Sequence, residues 1–464
     1  MSTTETLTPR RRPSTPPAPR ETRPHQGWFV RGLVRWCRRL LRLVIVLAVA
    51  AALEWAGAPA LVSVPFAVLV GVLSFRWGLL RVDDPPRRNT QAAFVVSMLF
   101  LAATAWSFTG AMTAAGAAPF DVRTGDWMRD HHLNPVVDVL EQRIYGQGAP
   151  GNGPVAQEDI PERIANVTSA PSVLSPTPTA PTATASPTTP QTGGPLIDNS
   201  LPSEGQWVPS HRKINSAPAT YTTFVRPDAD HSSAVAAAVY LDPTATRLVY
   251  VPGTDEPTGS GWAWNSGIPR FERDGLIAAF NSGWKFKDTK GGAFTEGKTP
   301  VPLVDGQASL VIYRDGHSDI GAWGTDVSMT PDVVSVRQNL ELVVDQGKPV
   351  DGLKTSIDGQ WGKRKYQIQY TRRSGIGITD TGALVYVAGD DLTTDTMATA
   401  LSQVGAVRGM ELDIHSKHPT FNFFEPSASA GSGVTASKLY PSMPRPATRY
   451  LSPDQRDFFA VVAR

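Results

Sequence analysis

The sequence predicts an α+β domain with a mixed or antiparallel sheet and packed helices, preceded by an all-α transmembrane anchor. Three observations predict it. Residues 43–115 hold long apolar runs almost free of charge, residues 166–200 are rich in Pro, Thr and Ser, and residues 201–464 alternate like strands around two helical stripes. With 464 residues the chain is long enough for about three units. The net charge is only +2, from 44 Lys and Arg against 42 Asp and Glu. It hides an asymmetry: residues 1–42 carry +8, residues 43–90 carry +1, and the rest sums to −7. The basic excess belongs to one end, so a nucleic-acid-binding reading of the whole chain is excluded. The single cysteine, Cys37, allows no intramolecular disulfide and no cysteine metal cluster.

Residues 1–42 read as a basic cytoplasmic tail. From Leu43 to Phe75 the only charged residue is Glu54, and these 33 residues would make a helix about 50 Å long, against a hydrocarbon core of about 30 Å. Two spans, 43–57 and 59–75, broken near Gly57–Pro59, fit better. The charge-free run 91–115 supplies a third. Arg31, Arg35, Arg38, Arg39 and Arg42 precede the first span; Arg76, Arg81, Arg87 and Arg88 follow the second. The positive-inside rule puts both clusters in the cytoplasm, so the expected protein is a multi-pass cell-membrane protein, in contact with membrane lipid through its spans, whose C-terminal domain is extracellular. Residues 116–165, with Val136, Val137, Leu140 and Ile144 at helical spacing, read as a juxtamembrane stalk. Residues 166–200 cannot bury enough apolar surface to offset chain entropy and read as a linker.

The remaining domain, 201–464, contains two hairpin patterns. Ser309–Arg314 leads into Asp315–Gly316, and Gly375–Thr379 leads through Asp380–Gly382 into Ala383–Val387; Gly at these turns supplies the positive φ that tight turns require. One helix is expected after Thr330 and Pro331, with Val333, Val336, Leu340 and Val343 on its buried face and Gly347 at its end. A second is expected to be capped by Thr393 or Thr394, with Met397, Ala400, Leu401 and Val404 as its stripe and Gly405 closing it.

The chemistry is densest in Gly409–His418. Alternation sends Met410, Leu412 and Ile414 to one face of a strand and Glu411, Asp413 and His415 to the other. Two carboxylates at that spacing can meet one substrate, or raise one another's pKa so that one serves as an acid. Glu411, Asp413, His415 and His418 are also competent ligands for a divalent metal, but they lack a diagnostic spacing, and no other cofactor is implied. An amphipathic edge strand with a solvated polar face would show the same alternation. In Ala278–Phe286, Asn281 can donate and accept hydrogen bonds, and the Ser282–Gly283 turn can turn backbone N–H groups toward a ligand. Arg373, within Thr371–Gly375, offers a planar fork suited to phosphate.

Taken in order, AAFNSGWKF, RRSGIGITDTGALVYVAG and GAVRGMELDIHS resemble the phosphodiester glycosidase domain family. That family is typified by the enzyme that removes N-acetylglucosamine from a phosphodiester to uncover mannose 6-phosphate. The resemblance spans about Ala278 to Ile414. It implies that Asn281 orients a sugar, Arg373 neutralises phosphate, and Asp413, with Glu411 as partner, acts at the anomeric centre; Gly283 and His415 would contact substrate. Ser282 stands where the family has Gly, and Ile414–His415–Ser416 replaces a glycine run. The expected function is an anchored hydrolase of a glycosyl–phosphate linkage in a cell-envelope glycan or glycolipid. The alternative is a non-catalytic module that holds such a glycan on the same face.

Overall fold

The computed structural model describes residues 101–114, 118–133, 136–137, 139–140, 148–162, 164, 190–355, 359–414 and 417–464. The chain divides into a unit at 1–110, whose described part, 101–110, is helical, and a unit at 111–464.

Strands dominate the second unit. An eight-stranded antiparallel sheet runs in the order Val208–Pro209, Thr220–Val225, Ala236–Leu241, Leu384–Leu392, Thr371–Thr379, Ala406–Ile414, Leu342–Asp345 and Lys348–Pro349. A five-stranded sheet runs Val434–Lys438, Phe421–Pro426, Leu276–Asn281, Phe458–Ala463 and Thr246–Val251. A second five-stranded sheet runs Ser318–Ala322, Ala308–Tyr313, Val333–Gln338, Ala293–Thr295 and Lys298–Val301. The main core lies where all three meet: Ile376, Tyr386, Met410 and Leu412 from the first, Ile277, Phe280, Phe421 and Phe459 from the second, and Leu310, Ile312 and Ile320 from the third. Both faces of the central strands are therefore covered, which is why they read as nearly continuous apolar runs.

Both predicted hairpins form. Ala308–Tyr313 pairs antiparallel with Ser318–Ala322 around Gly316 at φ 86°, and Thr371–Thr379 pairs with Leu384–Leu392 around Gly382 at φ 80°. The helix Thr394–Gln403 forms with Thr393 as its cap, Thr393 and Thr396 bonding each other's backbone N–H groups. Its apolar stripe packs on the second face of the large sheet, against Val385, Val387 and Val344.

Three expectations are corrected. The helix expected after Thr330 is instead the strands Val333–Gln338 and Leu342–Asp345, with Leu340 at φ 57° between them. The stretch is rich in valine, whose branched Cβ favours a pleated surface, and both of its faces are buried, so apolar residues fell at helical spacing by coincidence. The balance of the α+β expectation is corrected accordingly: the unit is mostly β, with helices at Phe120–Asp130, Arg364–Gln367 and Thr394–Gln403. The all-α anchor and the multi-pass placement are also corrected. Among the described residues no helix is long and apolar enough to cross a membrane. The helical stretch 101–113 is 13 residues, about 20 Å, well short of a bilayer core of about 30 Å. The expected spans 43–57 and 59–75, the first part of 91–115, Ile144 of the expected stalk and linker residues 166–189 all lie outside the described residues.

Candidate active site

Asp413 is the penultimate residue of the strand Ala406–Ile414 and is held by its own backbone before its side chain does anything. Its N–H donates to the Ser282 carbonyl at 3.0 Å, and its carbonyl accepts from Ser374 Oγ at 2.8 Å. The carboxylate Oδ1 accepts from the Ile414 N–H at 2.9 Å, while Oδ2 lies 3.0 Å from Arg456 Nη2 and 3.7 Å from His418 Nδ1. Burial pushes the Asp413 carboxyl up to about 6, against the opposing pull of Arg456, the Ile414 N–H and Arg449. A carboxyl near 6 retains its proton in part at neutral pH, as an acid catalyst requires.

Glu411, two residues earlier, points the same way along the strand but is sealed. It and Arg373 are both 0% exposed and form an ion pair at 2.7 Å. Arg373 Nε donates to the Leu392 carbonyl at 2.8 Å, and Nη2 to the carbonyls of Tyr366 and Gln369. Its three nitrogens are thus spent inside the fold, which corrects the expectation that it meets a phosphate. Burial raises the Glu411 carboxyl to about 7 in spite of Arg373, and Glu411 Oε2 has no hydrogen-bond partner among the described residues. Glu411 is therefore a buried counter-charge and not a partner of Asp413 at an open site.

Asn281 is likewise consumed. Its amide donates to Ser374 Oγ and the Ser282 carbonyl, both at 3.0 Å, and its oxygen accepts from Tyr386 OH at 3.0 Å and the Thr420 N–H at 2.9 Å. This corrects its expected sugar-orienting role: it ties Leu276–Asn281 to the large sheet through Ser374 and Tyr386 and to Thr420 at the start of the neighbouring strand. Gly283 serves a close approach. A Cβ there would sit 2.8 Å from Asn339 Cγ, and its carbonyl accepts from Arg456 Nη2 at 2.8 Å. Asn339 in turn donates to the Glu411 carbonyl at 2.8 Å and accepts from the Trp284 N–H at 3.1 Å. His415 lies outside the described residues. Among those described, no group of three or more His, Cys, Asp or Glu is placed to hold a metal ion.

The structure thus brings Asp413 and Gly283 together and separates Arg373 and Glu411 from them by burial. What faces Asp413 is a set that the sequence reading missed. Arg456 lines a cavity of about 340 Å³ together with Glu256 and Lys285. The Glu256 carboxyl accepts from the Phe286 N–H at 3.0 Å; burial raises its pKa, with Arg456 opposing. Behind Arg456, Arg449 pairs with Asp454 at 2.7 Å and donates to Thr420 Oγ1 at 3.0 Å. The Arg456 guanidinium is pushed up by Asp413, Asp457 and Glu256, which outweigh its burial, so it stays charged. The signal was present in Arg445, Arg449, Asp454, Arg456 and Asp457, a charged run directly before an apolar strand, where an edge of polar residues leads into the core.

The comparisons bear on this geometry. Residues 274–413 match the family model described as phosphodiester glycosidase. No curated protein matches the chain. Among solved structures, the catalytic domain of zebrafish N-acetylglucosamine-1-phosphodiester alpha-N-acetylglucosaminidase, auto-inhibited by its pro-peptide, aligns at 14% identity over 54% of this chain and 86% of that one, with a TM-score of 0.37. A hypothetical protein from Synechocystis aligns at 14% identity over 55% and 64%, TM-score 0.32, and a putative exported protein from Burkholderia pseudomallei at 10% over 50% and 75%, TM-score 0.30. The matched segment begins just before the strand Leu276–Asn281 and ends on Asp413, so it holds the turn at Gly283 and the candidate acid together. Residues 274–413 are thus similar to the phosphodiester glycosidase family over about a third of the chain.

Proposed function

We propose that the chain hydrolyses a glycosyl–phosphate linkage, with Asp413 as general acid, Arg456 as the phosphate-binding cation and Glu256 as the second carboxylate. One observation carries this reading: a carboxyl raised to about 6 sits 3.0 Å from a guanidinium that opens onto a cavity, on the last residue of the family segment. Water adds to the anomeric carbon as the bond from that carbon to the phosphate oxygen breaks. Asp413 gives its proton to the departing oxygen, and Glu256 takes a proton from the water. The products are a free sugar and a phosphate monoester. Two carboxylates flanking the scissile bond are the usual means of glycoside cleavage. Arg456 neutralises charge that grows on the leaving phosphate, an effect that is strongest where water is excluded. The substrate class we infer is a cell-envelope glycan or glycolipid, because sugar phosphodiesters are built into such polymers.

The test is sugar release by the purified full chain from the α-1-(methyl phosphate) diesters of N-acetylglucosamine, glucose and mannose, followed by release from an envelope glycan preparation. Hydrolysis of at least one diester, lost in Asp413→Asn, supports the reading. Absence of turnover on all three, with binding retained, assigns the site to a glycan-holding module instead.

A further inference from the structure

Residues 151–162 and 164 lie as a strap against the strand Thr220–Val225 and the turn before Ala236–Leu241, outside the family segment. One end is held by backbone. The Gly151 carbonyl accepts from the Ser233 N–H at 3.2 Å and from Ser233 Oγ at 2.7 Å, and Asn152 Oδ1 accepts from the Ser232 N–H at 2.9 Å. Ile160 and Ile164 pack with Phe224 and Val235 in a small cluster apart from the main core. The remaining attachment is polar. The Ser442 N–H donates to the Glu158 carbonyl at 3.1 Å, and Ser442 Oγ lies 2.8 Å from Asp159 Oδ1 and 3.1 Å from Asp390 Oδ2.

The hydrogens of that contact do not add up without a proton. Asp159 Oδ1, Ser442 Oγ and Asp390 Oδ2 stand in a row, and two hydrogen bonds among three oxygens need two hydrogens; the serine hydroxyl brings one. With both carboxylates ionised, one contact would set lone pairs against lone pairs, and two negative charges would face each other across one hydroxyl. Asp390 is the carboxylate that stays ionised: Arg372 Nη2 lies 2.5 Å from its Oδ2, and Tyr440 OH donates to its Oδ1 at 3.0 Å. The second hydrogen therefore falls to Asp159, whose carboxyl donates to Ser442 Oγ while Ser442 donates to Asp390. The charges around Asp159 agree. Burial first, then the Asp390 charge, push its carboxyl up to about 6, with Asp391 and Glu158 adding and the Ser442 hydroxyl opposing. Asp391 is itself raised by burial and by Asp390, against Arg372. Arg372 is the facing cation, and Asp390 engages it.

We propose that this strap is a proton-operated latch: protonated Asp159 closes it on Ser442 and Asp390, and loss of that proton frees it. The folded carboxyl titrates above its unfolded value of 3.8, so the latch is complete below about 3.8 and is lost as pH rises through about 6. Opening bares Phe224 and Val235 beneath Ile164, a local event that leaves the main core closed. The test is amide hydrogen exchange of the full chain at pH 5 and pH 8, read by mass spectrometry, with each rate divided by its intrinsic value at that pH. The peptide covering 157–164, where the Asp159, Ile160 and Ile164 N–H groups are bonded, should lose about tenfold in protection between the two. Asp159→Asn gives Ser442 the same hydrogen at either pH, so its strap should hold the pH 5 level at both, with the helix Thr394–Gln403 exchanging as in the parent. Equal protection of the parent strap at both pH values overturns the proposal. So does a pH dependence that survives in Asp159→Asn, or protection already lost in that variant at pH 5. A strap that loses protection only in step with Thr394–Gln403 overturns it as well, since the opening would then belong to the whole domain.

Discussion

Two carboxylate–guanidinium contacts stand two residues apart on one strand, and they do opposite things. Glu411 meets Arg373 at 2.7 Å with both side chains 0% exposed, whereas Asp413 meets Arg456 at 3.0 Å with about a tenth of each side chain exposed. The chemistry of the groups is the same in both pairs, and the distances are close. What differs is the wall. Around Glu411 and Arg373 the backbone of Leu392, Tyr366 and Gln369 closes in, and nothing else can approach. At the Arg456 end of the other pair, one side is left to a cavity. A buried pair without access holds a fold together or strains it; a pair with one open side can exchange its partner for a substrate.

The widest separation of the two pairs should come from single removals. Glu411→Ala leaves Arg373 charged and unpaired in the interior and should cost roughly 3–5 kcal/mol of stability, read as a lowered midpoint in denaturant. Asp413→Asn should instead keep the fold and lower kcat by about 10²–10⁴, as expected for loss of a general acid, measured on a glycosyl methyl phosphodiester. If Asp413→Asn destabilises as much as Glu411→Ala while sparing turnover, the distinction between the pairs disappears. Gly283→Ala tests the frame between them. The new Cβ meets Asn339, which holds the Glu411 carbonyl, so it should cost about 1–3 kcal/mol and displace the carbonyl that anchors Arg456, lowering kcat/KM as well.

The pairs should also answer differently to pH. Glu411 is raised above its unfolded value of 4.5 to about 7, so its stabilising contribution is complete below about 4.5 and lost as pH rises through 7. Unfolding temperature should therefore fall between pH 6 and 8 in the parent, and fall less in Glu411→Gln. For Asp413 the readout is catalytic: kcat/KM should decline as pH rises past about 6, because the acid must carry its proton. A flat profile from pH 5 to 8 would remove Asp413 from that role.

The contrast also shows what sequence could and could not deliver. Hairpins announced themselves through Asp315–Gly316 and Gly382, because a turn's backbone demand is local and only a few residues meet it. The cap at Thr393 was legible for the same reason. The strand that carries Glu411 and Asp413 was legible because alternation is local too. The fate of Arg373 was not. Whether a guanidinium reaches solvent is decided by carbonyls at 366, 369 and 392, brought together by tertiary folding, and nothing in Thr371–Gly375 encodes that. Val333–Asp345 was misread because a stretch buried on both faces loses the period that separates helix from strand. Arg456 and Glu256 were missed because each lies far from the motif segment and joins it only across the sheet.

The strand Phe458–Ala463 lies between Leu276–Asn281 and Thr246–Val251, with bonded neighbours on both sides. A growing chain therefore carries its acid at 413 through the synthesis of some forty further residues before the cation at 456 exists, and the two inner edges of that sheet stay unzipped until Phe458–Ala463 inserts. A ribosome-stalled product ending before residue 456 would hold the acid without its cation, and clumping through those bare edges would be its main hazard.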